Sequence, residues 1–110
     1  MLSEQQVEKA LDFMRDNAPM LAKAKADRVY LEQFRKSKKA LLISESPQGR
    51  VQDRESYAYA HPEYIQVLEG LREAVEREEE LRWMMAAAEA KVEVWRTQQA
   101  NNRAIDRSHQ

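Results

Sequence analysis

From Pro62 to about Asp106 the chain has a single glycine, Gly70, no further proline, and apolar residues that recur at helical spacing. At 1.5 Å per residue the resulting helix is roughly 67 Å long. A helix of that length has no small core in which to hide. Its stability has to come from another helix laid along it, in the same chain or in a partner.

The rest of the chain is short of alternatives. With 110 residues it has room for one domain, taken here as 1–110. Only 2 Gly and 3 Pro leave few turns, and 34% charged residues suit long surface helices better than a thick core. The absence of Cys removes any disulfide framework or thiolate metal site, and fits a reducing compartment. The first residues lack a basic region followed by an apolar run, so no secretory signal is expected. No apolar stretch approaches the ~20 residues that span a bilayer, so no membrane partner is expected.

Helix boundaries follow from capping residues and prolines. Ser3 and Gln6 have the spacing of a capping box, with Leu2 and Val7 placed as a hydrophobic staple, which starts a helix over 3–17. Ala18 precedes Pro19 and is pushed away from helical geometry, so a second helix is expected to begin at Pro19 and run over 19–45. Ser46-Pro47-Gln48-Gly49 is the clearest break. Residues 51–60 can form a short helix anchored by Tyr57 and Tyr59, and His61-Pro62 opens the last helix, over 62–106. Its seam reads as Leu68, Leu71, Val75, Glu78, Leu81, Met85, Ala88, Val92, Trp95, Gln99 and Asn102. A stutter around Glu78 and Leu81 in that seam departs from a strict heptad, so a locally straight helix is expected rather than a uniform supercoil.

Charge suggests how the helices pair. Residues 19–46 carry Lys23, Lys25, Arg28, Arg35, Lys36, Lys38 and Lys39 against three acids, a net of +4. Residues 62–80 carry seven Glu against Arg72 and Arg77, a net of -5. Facing each other, they would satisfy both. The expected fold is therefore all-α: an elongated antiparallel helical hairpin or coiled coil with a very long C-terminal helix, forming oligomers. The second helix would cover the acidic half of the last helix, and the first would reach Val92, Trp95 and Ile105.

Few constellations could carry chemistry. Glu69, Glu73, Glu76 and Glu80 line one face at steps of four, three and four. A carboxylate metal site would want a Glu-x-x-His motif or ligands from several helices, and neither His61 nor His109 has that spacing. A hydrolase acting through Glu73 and Glu76 is a remote alternative, and a solvated or lysine-paired face is the simpler reading. No Ser/His/Asp set, Gly-rich phosphate loop or Cys/His motif exists, so neither an enzyme nor a cofactor is expected. Arg35, Lys36, Lys38 and Lys39 are candidates for nucleic-acid contact, because clustered cations release counterions from phosphates. Trp83, Met84, Met85, Val92, Trp95 and Ile105 are candidates for a partner or oligomer interface, since Trp and Met are enriched there.

The segment from Glu80 to Ala104, ELRWMMAAAEAKVEVWRTQQANNRA, resembles the C-terminal helix of short all-helical proteins encoded by tailed bacteriophages and prophages. The segment Arg54 to Tyr64, RESYAYAHPEY, is similar to the middle of the same proteins. The resemblance implies a phage origin, the cytoplasm of a bacterial host as location, and a place beside DNA recombination genes. It transfers no residue role. The expected function is a non-enzymatic interaction or assembly factor that pairs with itself and with a phage or host protein. The alternative is a nucleic-acid-binding accessory in single-strand annealing.

Overall fold

The structure is a computed structural model, and it describes residues 1–109. They form three helices and no strand: α1 Glu4–Glu45, α2 Val51–Ala60 and α3 Pro62–Ser108. The fold is all-α, with α1 and α3 pairing as an antiparallel hairpin.

The capping box at the start of α1 forms as the spacing predicts. Ser3 Oγ accepts the Gln6 N–H at 3.2 Å, and Gln6 Oε1 accepts the Ser3 N–H at 2.9 Å. The expected break at Pro19 does not occur, and α1 continues through it. Proline removes one helical hydrogen bond and crowds the preceding turn. Here that turn begins at Arg15 and Asp16, both exposed, so water can serve the orphaned carbonyl. Val7, Ala10 and Ala24 are buried on either side of Pro19, and their packing holds the helix together across it.

The contacts group the chain into two compact units. One joins Met1–Leu21 to the part of α3 from Glu80 onward; the other is Ala22–Glu79. In paired helices each turn meets only the turn opposite, so contacts do not converge on one core.

In Ala22–Glu79 the chain reverses through residues 46–50 and α2. Leu42 and Ala58 are fully enclosed and Tyr64 nearly so, with Ile43 packed against them. Tyr59 meets Tyr64 edge-on at 5.4 Å and Tyr57 meets His61 at 5.5 Å, so the tyrosines do anchor this end. His61 ends α2 and starts α3: its N–H bonds Ala58 O, while its Nδ1 accepts the Glu63 N–H at 3.1 Å. Pro62 follows as first helical residue, where a missing N–H costs nothing.

The buried stripe of this unit is a strict heptad. On α1 it runs Ala24, Arg28, Leu31, Arg35, Lys38, Leu42; on α3 it runs Tyr64, Val67, Leu71, Ala74, Glu78, with steps of three and four alternating. Leu68 and Val75, assigned to the seam from sequence, are each 38% exposed. At these two places the seam runs through Val67 and Ala74 instead, one residue earlier, while Leu71 and Glu78 hold the expected positions, and the expected stutter is absent. The physical reason is a charged pair inside the seam. Arg28 holds Glu78 through Nε to Oε2 and through Nη2 to Oε1 at 3.2 Å, while Nη1 reaches Glu32 Oε1 at 3.0 Å. Glu78 is only 9% exposed. The register that brings Leu31 to Gly70 and Lys38 to Glu63 sets Ala24 level with Glu78 and Ala74 level with Arg28. Helical side chains lean toward the N-terminus, so in antiparallel helices these two lean toward each other over the small alanines. Larger Leu or Val side chains would fill the space that the ions need.

In the other unit the same repeat continues with Val7, Ala10, Met14, Asn17 and Leu21 on α1, and Leu81, Met85, Ala88, Val92, Trp95 and Gln99 on α3. The Leu2 N–H donates to Gln98 Oε1 at 3.2 Å, which ties the start of the chain to α3.

Two substitutions test this packing by chemical denaturation. A Cβ at Gly70 would meet Leu31 Cδ1 at 3.9 Å, an ordinary contact, so Gly70→Ala should stabilise by about 1 kcal/mol through helix propensity alone. Leu42→Ala empties a fully buried site and should cost about 3 kcal/mol. A third pair tests the seam ions: Glu78→Ala should lower the melting midpoint, because Arg28 loses its bidentate partner. Arg28→Leu with Glu78→Leu should recover most of that loss; a double variant as unstable as the single would overturn the assignment.

Candidate interaction surface

The α3 helix changes character near Trp83. Before it, the outward positions Glu69, Glu73, Glu76 and Glu80 are exposed carboxylates. From Trp83 to Ala90 the exposed positions are Trp83, Met84, Ala86, Ala87, Glu89 and Ala90, and Glu89 alone among them is charged. In the unit that contains this stretch, the inward positions Leu81, Met85, Ala88, Val92 and Trp95 are apolar too. A helix apolar on two faces is the mark of one covered on two sides. One cover is present: Val7, Ala10 and Ala88 are buried at 6%, 5% and 6% exposure.

The six interface candidates therefore divide. Met85, Val92 and Trp95 point into the seam and are half-buried, so Met1–Leu21 already covers them. Trp95 Nε1 is enclosed and meets no hydrogen-bond acceptor among the described residues. Trp83, Met84 and Ile105 point outward, at 66%, 46% and 54% exposure. The Arg82 guanidinium sits 5.5 Å from the Trp83 ring centroid. Sequence reading missed Ala87, Lys91 and Val94. Their signal was present: counting with Met85 at a and Ala88 at d, the g and c positions Glu80, Met84, Ala87, Lys91, Val94, Gln98, Asn101 and Ile105 alternate steps of four and three. This second stripe keeps the period of the first.

Beside the stripe lies a groove of about 370 Å³ within the same unit, lined by Gln6, Lys9, Ala10 and Phe13 of α1 and by Met84, Ala87, Ala88 and Lys91 of α3. Its floor is apolar, and its charged rim groups are the two lysines. Such a shape suits an apolar side chain that arrives with a carboxylate beside it.

The nucleic-acid candidates lie in the other unit, and most are engaged within it. Arg35 occupies a seam position and is half-buried, and Lys36 is exposed. Lys38 pairs with Glu63 Oε2 at 2.8 Å. Lys39 donates to the Tyr59 hydroxyl and lies 4.4 Å from that ring's centroid. Together with Arg28–Glu78, the Lys38–Glu63 pair is the expected meeting of basic and acidic segments; the tyrosine contact had no signal in the charge pattern. Glu73 and Glu76 are exposed, and no group of three or more His, Cys, Asp or Glu among the described residues stands where it could hold a metal ion. Among the same residues no helix is long and apolar enough to cross a membrane.

These contacts set a pH dependence. The Lys38 ammonium, by its hydrogen bond first and its charge second, holds Glu63 below its ordinary 4.5. The stabilisation is present above 4.5 and is lost as pH falls through the lowered value. The Tyr59 hydroxyl, accepting from Lys39, holds that ammonium above its ordinary 10.5. That stabilisation is complete below 10.5 and is lost as pH rises through the raised value. Melting midpoints should therefore fall at both extremes. Lys38→Met should flatten the acid limb and Tyr59→Phe the alkaline limb, each without moving the other.

No family model, no curated protein and no solved structure matches the chain.

Proposed function

We propose that this chain is a non-enzymatic helical interaction protein, an assembly or accessory factor that acts through the outward face of α3 between Trp83 and Ile105. The observation that carries the reading is the outward stretch of α3 from Trp83 to Ala90, where Glu89 is the one charged exposed residue, on a helix whose inward face there is already covered. A tryptophan 66% exposed, flanked by Met84 and followed by Val94, is a large apolar payload held on a rigid element. Interfaces concentrate their binding energy in such side chains. The phage-like pattern of Glu80–Ala104 adds the setting of a phage accessory factor acting on a phage or host protein in the bacterial cytoplasm. The nucleic-acid reading ranks second, because Lys38 and Lys39 are engaged by Glu63 and Tyr59 within the fold.

A photo-cross-linking residue at position 83, in the full chain expressed in bacteria, should give discrete adducts. The same residue at Arg72, outward but on the charged stretch, should give few. Trp83→Ala in a chain carrying the cross-linker at position 94 should lower the yield roughly tenfold, the effect of losing a hot-spot side chain. Equal yields from positions 72 and 83 would overturn the reading.

A further inference from the structure

The second stripe has a property that a surface for an unrelated partner does not need: it is complementary to itself. Read along α3 it presents Glu80, Met84, Ala87 and Lys91 at successive c and g positions, all exposed. Turned end for end about a point between Met84 and Ala87, the same four residues face their own reverse. Glu80 meets Lys91, Met84 meets Ala87, Ala87 meets Met84, and Lys91 meets Glu80. Both ion pairs are thus opposite in sign, and the two central layers each set a long side chain against a short one. A parallel alignment would instead lay Glu80 on Glu80 and Lys91 on Lys91, so the charges select the antiparallel one.

We infer that a second copy of this chain docks antiparallel on α3, with Met84 of each copy against Ala87 of the other and Glu80 against Lys91, as a two-fold dimer. The inference rests on the interaction reading above and names its partner. A two-fold contact uses one patch twice, so every favourable pair occurs twice. The groove completes the fit. Its apolar floor of Ala10, Phe13 and Ala88 adjoins Met84 and Ala87, and Lys91 stands on its rim. Met84 from the other copy arrives at that floor with its own Glu80 one turn away, beside Lys91. Trp83, adjacent to Met84 and 66% exposed, lies at the flank and closes over Ala90 of the second copy. The small residues Ala87 and Ala90 let the two backbones approach.

The test is a charge swap in the full chain, read by sedimentation equilibrium. The unmodified chain should self-associate in the micromolar range. Glu80→Lys alone and Lys91→Glu alone should each weaken self-association roughly tenfold or more, since each places like charges together twice. Both positions are exposed, so circular dichroism should show full helicity in both variants. Mixed one to one, the two variants should associate with each other at least as well as the unmodified chain does with itself. In that mixed pair the two introduced charges, opposite in sign, face each other, and the unchanged Lys91 of one variant faces the unchanged Glu80 of the other. Failure of the mixture to associate, or single variants that still associate normally, overturns the antiparallel dimer. An unmodified chain that stays monomeric while the position 83 cross-links to other proteins persist also overturns it and leaves the interaction reading standing. Loss of those cross-links as well removes both.

Discussion

One ion pair inside the seam, Arg28 with Glu78, constrains how α1 and α3 meet in the Ala22–Glu79 unit. Arg28 and Glu78 sit at heptad positions where Leu or Val would ordinarily pack, and each satisfies the other in two hydrogen bonds. Apolar seams tolerate a slip of one heptad, because leucine fits opposite leucine in many registers. A slip here would strand a carboxylate and a guanidinium among apolar neighbours. The pair thus specifies register more than it adds stability. Alanines at 24 and 74 are the accommodation the seam makes for it. Glu32 draws on the same guanidinium, and together the two carboxylates hold Arg28 protonated well beyond its ordinary range.

Local signals were legible in the sequence wherever the physics is local. The Ser3–Gln6 capping box, the short helix over 51–60 and the role of His61-Pro62 depend on residues within a turn or two of each other, and all three are found. Pro19 misled because its cost is local while the compensation is not: the helix is kept by buried side chains on both sides. The seam misled for a related reason. Leu68 and Val75 outweigh Val67 and Ala74 in hydrophobicity, so a count of apolar mass shifts the stripe by one residue. Only the partner helix, with Arg28 needing room, places the alanine inside.

The exposed face of α3 from Trp83 onward shows the same division. Trp83, Met84 and Met85 read as one cluster because they are consecutive, but neighbours on a helix point about 100° apart. Met84 lies on the outer stripe and Met85 on the inner one. Composition singles out the segment; periodicity is needed to separate what the fold has already used from what it leaves exposed. Lys38 and Lys39 make the same point, since both looked like cations for a ligand and both are engaged within the unit.

The spacing of the tertiary contacts carries a consequence for how this chain gains and loses structure. The Lys39–Tyr59 contact closes 20 residues, Arg28–Glu78 closes 50, and Leu2–Gln98 closes 96. Closing the last without the others would cost about 1.4 kcal/mol more loop entropy than closing the first. By loop entropy alone the contact nearest the bend, Lys39–Tyr59, is the cheapest of the three to form from the open chain, and the contact at the start of the chain gains most from the others being in place.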